Sequence, residues 1–508
     1  MEMPVVAELP ALLAKLWLSL FAFYLLKSIL KLVFSKKKYP PIGGTILHQL
    51  LNFHRLQDYQ TELSRHYKTF RVLTPFRNYI YTVDPANVEY ILKTNFENFG
   101  KGIITYEVMN DLLGDGIFAV DGEKWRHQRK VASFEFSAKV LRDYSSLVFR
   151  SNAAKLSELV SVSADSNETI DIQDLFMKTT LDSIFKVGFG VDLDTLGGSN
   201  DKGRAFAKAF DDSSCQILRR YFDLFWKMKR MLNIGLEGQM KRDIELINDF
   251  VFKVVDEKIE QLSHGEHDKM PKEDILSRLL VEREKDPETI SQKYLRDIVL
   301  NFVIAGRDTT AGTLSWFFHL LCKHHDVQEK ISQEVRAALK TGERLSRNEF
   351  PLFLTDEALS EMHYLHAALS ETLRLYPAVP LDAKHCMSDD TLPDGFEVKK
   401  GDLVNYQPFA MGRMKFLWGE DAEEFRPERW LNEGGNFEPV SPFKFTAFQA
   451  GPRICLGKDF AYRQMKIIAA MLLYFFKFES SAHGSVNYRS MLTLQIDGGL
   501  CIRAMHRL

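Results

Sequence analysis

A single cysteine near the carboxyl end lies in a loop whose residue types favour metal chemistry. Arg453 precedes Cys455 by two residues, and two glycines and a proline order the loop Phe448-Gln-Ala-Gly451-Pro-Arg-Ile-Cys-Leu-Gly457. A helix-like run, residues 460–476, follows it. Such a loop suits a thiolate ligand to an iron porphyrin, where the thiolate pushes electron density onto the iron and favours O–O cleavage. The alternative is a buried cysteine without chemistry.

A second candidate site breaks the helical pattern near the middle of the chain. One helix is predicted over residues 291–324, and the hexapeptide Ala305-Gly306-Arg-Asp308-Thr309-Thr lies inside it. Glycine, aspartate and threonine are poor helix formers, and such a local conflict often marks a functional site. We expect Gly306 to let a flat cofactor or O2 approach the backbone, and Asp308 to relay protons to Thr309. The Thr309 hydroxyl is expected either to bond back to the Ala305 carbonyl or to face a ligand, bending the helix. The alternative for the whole hexapeptide is a polar kink in a solvent-touching helix.

A glutamate and two arginines form a third candidate group. Glu371 and Arg374 lie at i and i+3 on one helix face, and Arg429 follows in a separate motif. Exposed pairs of this kind contribute only about 0–1 kcal/mol. If the three residues form a buried network, its loss typically costs about 3–5 kcal/mol. We expect that network to hold the Cys455 loop in place.

An indole and two guanidinium groups form a possible anion site. Trp125 and Arg129 lie at i and i+4, which places both on one face of a predicted helix. Together with Arg453 they can hold an anionic propionate group by charge-assisted hydrogen bonds. The alternative is an amphipathic surface helix that carries these side chains without a ligand.

The elements that position these residues are mainly helical. Helical periodicity dominates residues 120–334, whereas β-rich pieces are predicted near 69–74, 78–83, 491–496 and 499–504. Pro393-Asp394-Gly395 predicts the turn of a further hairpin. The sequence therefore predicts a mainly α fold with a small β-rich portion assembled from distant segments.

The amino end has the pattern of a membrane anchor. Residues 16–26 carry no charge, and Lys15, Lys27 and Lys31 flank or interrupt a longer apolar stretch over 9–34. The cluster 36–38 is basic. A cleaved signal peptide is the competing interpretation, but the apolar run ends in lysines instead of a small-residue cleavage site. We expect an anchor over 1–35, a basic and proline-rich linker over 36–44, and a cytosolic catalytic domain over 45–508.

Composition excludes several other classes of protein. The net charge of −2 gives no case for nucleic-acid binding. The five cysteines are odd in number and form no C-x-x-C pair, so neither a disulfide framework nor a zinc site is predicted. All except Cys455 are expected to be buried thiols without a role.

In this order and spacing, the motifs resemble those of the cytochrome P450 superfamily. The pattern Phe-x-x-Gly-x-Arg-x-Cys-x-Gly is met in full, and the resemblance covers essentially the whole chain. It implies a P450 fold, with haem b between the long oxygen-binding helix and the Cys-loop helix. It also implies an axial thiolate from Cys455, a folding network of Glu371, Arg374 and Arg429, and oxygen and proton handling by Asp308 and Thr309. The residues that the resemblance assigns to the cofactor are Trp125, Arg129, Arg453, Phe448, Gly451, Ala305 and Gly306.

One position departs from the superfamily pattern. Many members carry an arginine or histidine after the Glu-x-x-Arg helix as a further propionate contact, and this chain has Lys384 and His385 there. Either residue is a candidate replacement. Arg71 and Arg77 are candidates for a substrate carboxylate contact.

Several segments are similar to the plant fatty-acid hydroxylase clan, among them 114–118, 125–130, 305–312 and 376–382. This resemblance implies hydroxylation of a long-chain fatty acid at or near the ω carbon, for cutin, suberin or pollen-wall polymers. It further implies O2 as co-substrate and a monomer anchored in the endoplasmic reticulum membrane. NADPH–cytochrome P450 reductase would supply electrons, and a basic face of Lys458, Arg463 and Lys466 is a candidate docking surface for it.

Two other functions stay open at this point. One is a haem-thiolate isomerase or dehydratase of fatty-acid hydroperoxides, although such relatives typically lack the acid–threonine pair that Asp308 and Thr309 form here. The other is a membrane-bound haem sensor without enzymatic activity. Consumption of NADPH in the presence of reductase and fatty acid separates the sensor from the monooxygenase.

Overall fold

The computed structural model describes residues 41–507 apart from 76, 138, 199, 264–273, 286–289 and 482–485, together with 17, 19–24, 26 and 27. Most of the predicted anchor, and residues 36–40 of the predicted linker, lie outside the described residues. Within the described part, no helix is both long enough and apolar enough to span a bilayer. The residues described between 17 and 27 are helical, and their large apolar side chains are exposed.

Helices make up most of the described chain, as the sequence predicts. In chain order they are α1 Ile46–Leu51, α2 Leu56–His66, α3 Pro85–Glu89, α4 Gly102–Leu113, α5 Gly122–Ser137, α6 Lys139–Asp165, α7 Ile172–Phe189, α8 Asp201–Arg220, α9 Trp226–Leu232, α10 Gly235–Ser263, α11 Ile275–Lys285, α12 Gln292–Val303, α13 Thr309–Leu321, α14 His325–Leu339, α15 Phe350–Phe353, α16 Asp356–Glu361, α17 His363–Leu375, α18 Pro408–Met411, α19 Lys415–Trp418 and α20 Lys458–Phe475.

Short strands form the small β portion. They are β1 Ile42–Thr45, β2 Thr69–Leu73, β3 Asn78–Thr82, β4 Phe99–Gly100, β5 Thr169–Asp171, β6 Asp382–Cys386, β7 Asp390–Thr391, β8 Glu397–Val398, β9 Leu403–Tyr406, β10 Phe476–Ser480, β11 Tyr488–Ser490, β12 Leu494–Ile496 and β13 Cys501–His506. The largest sheet has the order β1-β2-β3-β9-β6-β4, and β10-β13-β5 form a second sheet. The predicted hairpin is the antiparallel pair β7–β8, whose turn places Gly395 at a positive φ of 85°. The mainly α fold with a small β portion is therefore confirmed.

The sequence predicts the position of the central helix correctly but does not predict the π-helical segment inside it. It begins after Ser291, whose side chain accepts a hydrogen bond from the Tyr294 amide, and it ends at Leu321. Residues 292–321 span about 45 Å at 1.5 Å per residue. Between α12 and α13 the backbone forms a π-helical segment, Ile304–Asp308, which is a common feature of functional sites. Every residue from Thr310 to Leu321 is buried, so α13 runs through the core of the protein.

Candidate active site

The Cys455 loop is fixed by backbone geometry. Gly451 has a φ of +65°, and a Cβ there would collide with the Leu92 carbonyl, so only glycine fits. The Cys455 amide then donates to the Phe448 carbonyl at 2.8 Å. Cys455 is solvent-accessible, although the surrounding protein atoms are dense enough to raise the pKa of its thiol. A ligand can therefore reach this side chain.

The environment of the Cys455 thiol both opposes and favours its ionisation. Burial by the surrounding protein atoms raises the pKa of the thiol, and this is the largest effect. The Gly457 amide, Arg129 and Lys458 lower that pKa in turn. A coordinating thiol is deprotonated by the charge of the metal itself, so these groups suit a thiolate ligand.

The central helix presents a stripe of accessible positions in an otherwise buried stretch. Phe302, Ala305, Gly306 and Thr309 are half-buried, whereas the intervening residues are buried. Their i, i+3, i+4, i+7 spacing places them on one helix face. The Thr309 hydroxyl donates to the Ala305 carbonyl at 2.6 Å, as expected for a threonine inside a helix.

Gly306 also packs against a neighbouring helix. A Cβ on Gly306 would lie 2.8 Å from Cδ1 of Ile184 on α7, so the Ile184 side chain would have to shift. Glycine therefore allows close packing of the π-helical segment against α7. The predicted approach of O2 or a flat cofactor at Gly306 stays a prediction.

Phe136 links the accessible helix face to the Cys455 loop. Its ring lies 5.7 Å from that of Phe302 on α12 and 5.9 Å from that of Phe460 on α20. A Cβ on Gly457 would lie 3.9 Å both from the Phe136 ring and from the Cys455 sulfur. The Phe136 ring therefore lies between the Cys455 thiol and the accessible stripe of the central helix. No sequence pattern identified Phe136 as part of the site.

Asp308 lies beside the stripe and not on it. Its carboxylate is fully buried, and Oδ1 accepts from Arg307 Nη1 at 2.9 Å. Arg307 also pairs with Asp211 of α8 at 2.5 Å. Burial, and secondly the charge of Asp211, raise the pKa of Asp308 to about 7, and Arg307 opposes this shift. Asp308 can therefore exchange a proton near neutral pH. Its Oδ2 has no hydrogen-bond partner in the described part of the chain.

The three predicted anion-binding side chains converge. The Arg453 guanidinium lies 4.3 Å from the centre of the Trp125 ring, and Arg129 donates to the Ile454 carbonyl. Arg453 Nη2 donates to Asp121 Oδ1 at 2.5 Å, a partner that sequence reasoning missed. Nε of Arg453 is buried and finds no acceptor among the described residues. One buried donor is thus left for an anion.

Cations outnumber carboxylates around these residues. Asp382 accepts from Lys101 Nζ at 2.9 Å and from Lys384 Nζ at 3.1 Å, and Tyr406 also donates to it. Lys384 is therefore committed to Asp382, whereas buried Nδ1 of His385 has no partner in the described chain. Arg453 interacts electrostatically with Asp382 and Arg129, so these groups form one charged cluster. Its cations are Lys101, Arg129 and Arg453, and its carboxylates are Asp121 and Asp382. Lys384 adds a partial positive charge, because burial lowers its pKa to about 7. This excess of positive charge fits a cofactor that carries two propionates.

The glutamate–arginine network is buried. Glu371 receives both Nε and Nη2 of Arg374 at 2.7 and 2.8 Å, and Nε of Arg429 at 2.7 Å. Trp430 Nε1 donates to the same carboxylate at 2.9 Å. Ser370 directly precedes Glu371 on α17 and forms a hydrogen bond with the Tyr462 hydroxyl at 2.8 Å. The centre of the Tyr462 ring lies 5.2 Å from that of the Phe448 ring. The network is thus two contacts from the Cys455 loop.

Two smaller predictions are wrong. Cys501 is exposed on β13, whereas the sequence analysis expected a buried thiol. Lys466 is buried and donates to the Leu359 carbonyl at 2.8 Å, and Arg463 pairs with Asp356. Of the predicted basic docking face, Lys458 is exposed, Arg463 is half-buried, and only Lys466 is turned towards the core by α20.

Comparison with known proteins identifies the family. The sequence model of the family described as Cytochrome P450 matches residues 39–497. This chain belongs to the cytochrome P450 family. It is 52% identical over 485 residues to cytochrome P450 704C1 from Pinus taeda, covering 93% of both chains. It is 44% identical to cytochrome P450 704B1 from Arabidopsis thaliana, with 92% and 94% covered, and 38% identical to cytochrome P450 94A1 from Vicia sativa, with 93% and 90% covered.

Family membership gives the architecture its name and the protein its reaction class. The mostly helical structure with a small β portion is the P450 fold, and the predicted resemblance to plant P450s is confirmed. Members of this family are monooxygenases that use haem and O2. The chain is accordingly a P450 monooxygenase, and the residues around Cys455 fit its cofactor.

Proposed function

We propose that this P450 hydroxylates a long-chain fatty acid at or near the ω carbon. The observation that carries the proposal is the accessible stripe of the central helix, which is apolar at Phe302, Ala305 and Gly306 and polar only at Thr309. An acyl chain matches such a surface. The similarity of several segments to the plant fatty-acid hydroxylase clan supports the same substrate class.

In this proposal Cys455 would supply the thiolate ligand of haem b, and Trp125, Arg129 and Arg453 would hold its propionates. Phe448 and Gly451 would shape the loop around the sulfur, and Ala305 lies on the accessible face of the central helix. When bound, haem with a thiolate ligand supplies oxygen activation and O–O cleavage. The unpartnered Nε of Arg453 supports a carboxylate at this end of the site.

Asp308 and Thr309 are the proposed catalytic residues. The Thr309 hydroxyl, bonded to the Ala305 carbonyl, holds a proton at Oγ1 on the accessible helix face. Asp308 takes up and releases a proton near neutral pH because its pKa is raised to about 7. Rotation of the Asp308 side chain away from Arg307 would bring its proton towards solvent or towards Thr309.

The reaction at the ω end requires the substrate to enter with its methyl group first, so its carboxylate remains near the entrance. Of the two candidate contacts, Arg71 already donates to the Glu397 carbonyl at 2.8 Å and lies over the Phe396 ring. Nη1 of Arg77 is buried and has no partner among the described residues. These contacts favour Arg77 as the carboxylate contact.

The proposal includes a location and a partner. Residues 1–35 would anchor the chain in the endoplasmic reticulum membrane, 36–44 would link it, and 45–508 would be the cytosolic catalytic domain of a monomer. The exposed apolar side chains between residues 17 and 27 support the anchor. NADPH–cytochrome P450 reductase would deliver electrons, and the products would enter cutin, suberin or pollen-wall lipids.

Reconstitution tests the proposal directly. The full-length protein is combined with plant reductase, NADPH and palmitate, and products are separated by gas chromatography with mass spectrometry. We expect a terminal or near-terminal hydroxy acid and matching NADPH consumption. Turnover of fatty-acid hydroperoxides without NADPH would instead establish an isomerase or dehydratase. Haem binding with neither reaction, across saturated and unsaturated acids of several lengths, would refute fatty-acid hydroxylation.

A further inference from the structure

The amino end of helix α4 is held beside the Cys455 loop. The backbone amides of Lys101 and Gly102 donate to the Asp121 carboxylate at 2.9 and 2.7 Å. Asp121 also accepts from Arg453 of the loop at 2.5 Å. From this point the twelve residues of α4 extend for about 18 Å at 1.5 Å per residue.

The carboxyl end of α4 is held by the central helix. Asn301 Nδ2 on α12 donates to the Leu113 carbonyl at 2.8 Å. Asp297 Oδ2, one turn earlier on α12, accepts from the Asp115 amide at 2.9 Å. Both side chains are buried, and Asn301 directly precedes Phe302, the first residue of the accessible stripe. Helix α4 therefore connects the Cys455 loop to the amino end of the stripe.

Two cations hold Asp297 in place. Arg296 Nη1 donates to Asp297 Oδ1 at 2.8 Å, and Lys293 Nζ lies 2.9 Å from Oδ2. Arg296 Nη2 also donates to the Asp111 carbonyl of α4 at 3.0 Å. A buried carboxylate cannot turn away from such a partner without a large cost, so Asp297 offers a fixed acceptor to the backbone after α4.

Two glycines in the segment 114–116 leave the space that these side chains need. A Cβ on Gly114 would lie 2.0 Å from Asp297 Oδ1, and a Cβ on Gly116 would lie 1.9 Å from Asn301 Nδ2. Either contact would push a buried side chain out of its hydrogen bonds. The segment 114–118 therefore has a physical role, which is to let the chain lie against α12.

Neighbouring helices hold the rest of α4. Arg220 of α8 donates to the Val108 carbonyl at 3.0 Å and pairs with the Asp111 carboxylate at 2.8 Å. Lys227 of α9 pairs with Glu107 at 2.6 Å. Loss of the contacts with α12 should therefore free the residues that follow Asp111 and leave the start of α4 in place.

We propose that Asp297 and Asn301 are positioning residues that fix the carboxyl end of α4 as a wall of the substrate pocket. They act through α4, whose position limits how far a bound chain can extend between the Cys455 thiol and the accessible stripe. The carbon of a fatty acid that this wall selects for oxidation rests on the proposed function. The fixed position of the wall does not.

Hydrogen exchange followed by mass spectrometry on the full-length holoprotein tests the contacts. Asn301→Ala should speed exchange within residues 112–118 about fivefold and leave 102–108 unchanged, because one hydrogen bond to this end of α4 is lost. Asp297→Asn keeps an oxygen acceptor for the Asp115 amide, so its exchange there should be slower than that of Asp297→Ala. If Asn301→Ala fails to load haem, the isosteric Asn301→Asp removes only the donor to Leu113 and carries the same expectation.

Binding of two imidazoles to the haem iron, followed by the Soret band, tests the wall itself. Unsubstituted imidazole needs no pocket wall, whereas the alkyl chain of 1-dodecylimidazole is buried by the walls around it. In Asn301→Ala the Kd of 1-dodecylimidazole should rise about fivefold, because its chain loses a fixed surface. The Kd of imidazole should stay within about twofold of the wild-type value.

Gly116→Ala tests the fit from the other side of the contact. The new Cβ displaces the Asn301 side chain, so this variant should reproduce both effects of Asn301→Ala. Added to Asn301→Ala, it should change little, because the atoms that it would meet are gone. Such non-additivity is the signature of two residues in direct contact.

Two variants serve as matched controls. Asn152→Ala removes another buried amide, whose Nδ2 donates to Ser183 Oγ at 2.9 Å between α6 and α7. Gly188→Ala adds a Cβ that meets nothing within 4 Å. Both should keep wild-type exchange in residues 112–118 and the wild-type ratio of the two imidazole Kd values.

Three results would overturn the proposal. They are wild-type exchange of residues 112–118 in both Asn301→Ala and Asp297→Ala, equal weakening of both imidazoles, and additive effects of Gly116→Ala and Asn301→Ala. Palmitate hydroxylation is assayed separately. A wild-type protein that forms no product from palmitate would count against the proposed function and leave the exchange and imidazole results to decide the role of Asp297 and Asn301.

Discussion

The raised pKa of Asp308 makes a quantitative prediction about stability. Aspartate has a pKa near 3.9 in an unfolded chain, whereas burial raises the pKa of Asp308 to about 7 in the folded protein. The folded state therefore holds the proton more tightly than the unfolded state. The favourable contribution is complete below about pH 4 and is lost as the pH rises through 7.

The size of this loss follows from the pKa shift. At 1.36 kcal/mol per pKa unit, the rise of the Asp308 pKa from about 3.9 to about 7 corresponds to roughly 4 kcal/mol, of which about 2–3 kcal/mol is lost between pH 5 and pH 8. Unfolding entropy is about 2.1 cal/mol/K per residue, or roughly 1 kcal/mol/K for a chain of this length. The melting temperature of the wild type should thus fall by about 2–3 °C over this pH range because of Asp308 alone.

Asp308→Asn removes the titrating group and keeps a side chain of the same shape beside Arg307. Thermal unfolding of the full-length wild type and variant is followed by circular dichroism at pH 5, 6, 7 and 8. Other titrating groups contribute equally to both proteins, so the difference between their pH slopes isolates Asp308. We expect the variant to gain about 2–3 °C on the wild type between pH 5 and pH 8.

One result would contradict this reasoning. Parallel pH slopes between pH 5 and pH 8 would mean that the pKa of Asp308 in the folded protein lies near or below its value in the unfolded chain, because Asp308 would then be ionised in both states over this range. Asp211→Asn is a further check, because removal of the Asp211 charge should lower the Asp308 pKa. The melting temperature of this variant should then fall less between pH 5 and pH 8 than that of the wild type.

Four other substitutions test the site. Cys455→Ser should abolish the red-shifted carbonyl spectrum of the reduced haem protein, because the thiolate ligand is lost. Thr309→Ala should divert electrons into peroxide, measured against NADPH consumption, while haem remains bound. Glu371→Ala should destabilise the protein by about 3–5 kcal/mol, since Arg374 is left buried without its carboxylate, and haem incorporation should fall. Arg77→Gln should raise KM for palmitate about tenfold and leave KM for its methyl ester unchanged, as expected for a charge-assisted hydrogen bond.

Each of these predictions has a control and a contradicting outcome. Cys501→Ser should keep the red-shifted spectrum, and a Cys455→Ser protein that keeps it would exclude that thiolate. Unchanged coupling in Thr309→Ala would remove its hydroxyl from oxygen handling. Wild-type stability of Glu371→Ala would show that the network is structurally dispensable. Arg71→Gln should leave palmitate binding intact, and an equal effect on acid and ester in Arg77→Gln would exclude a carboxylate contact.

Much of the fold was predictable because its signals are local. The helical period, the cap at Ser291 and the Pro-Asp-Gly turn each act over a few residues, and the structure has helices or turns at these places. The bond from Thr309 to Ala305 was foreseen for the same reason, since helix geometry brings i and i−4 together. The π-helical segment was not predicted, and it packs closely against Ile184, a residue far away in the sequence.

The candidate site shows the same division. The loop sequence alone pointed to Cys455, and the i, i+3 spacing alone paired Glu371 with Arg374. No pattern indicated Phe136, Asp121 or Asp211 as neighbours of the site, and none showed that Lys466 faces the core. These partners come from other elements, and nothing in the spacing of either element identifies the other.

The sequence by itself determined the position of the Cys455 loop, the helical character of the chain and the candidate residues for its chemistry. Side-chain type and spacing along one element are properties of that element alone, so they can be derived without knowledge of the rest. Only the tertiary structure decided which charges meet. Arg307 and Asp211 are 96 residues apart, and Arg453 and Asp121 are 332 apart, so their contacts depend on how distant elements pack. The same packing buries Asp308, and that burial sets the pKa at which it can transfer a proton.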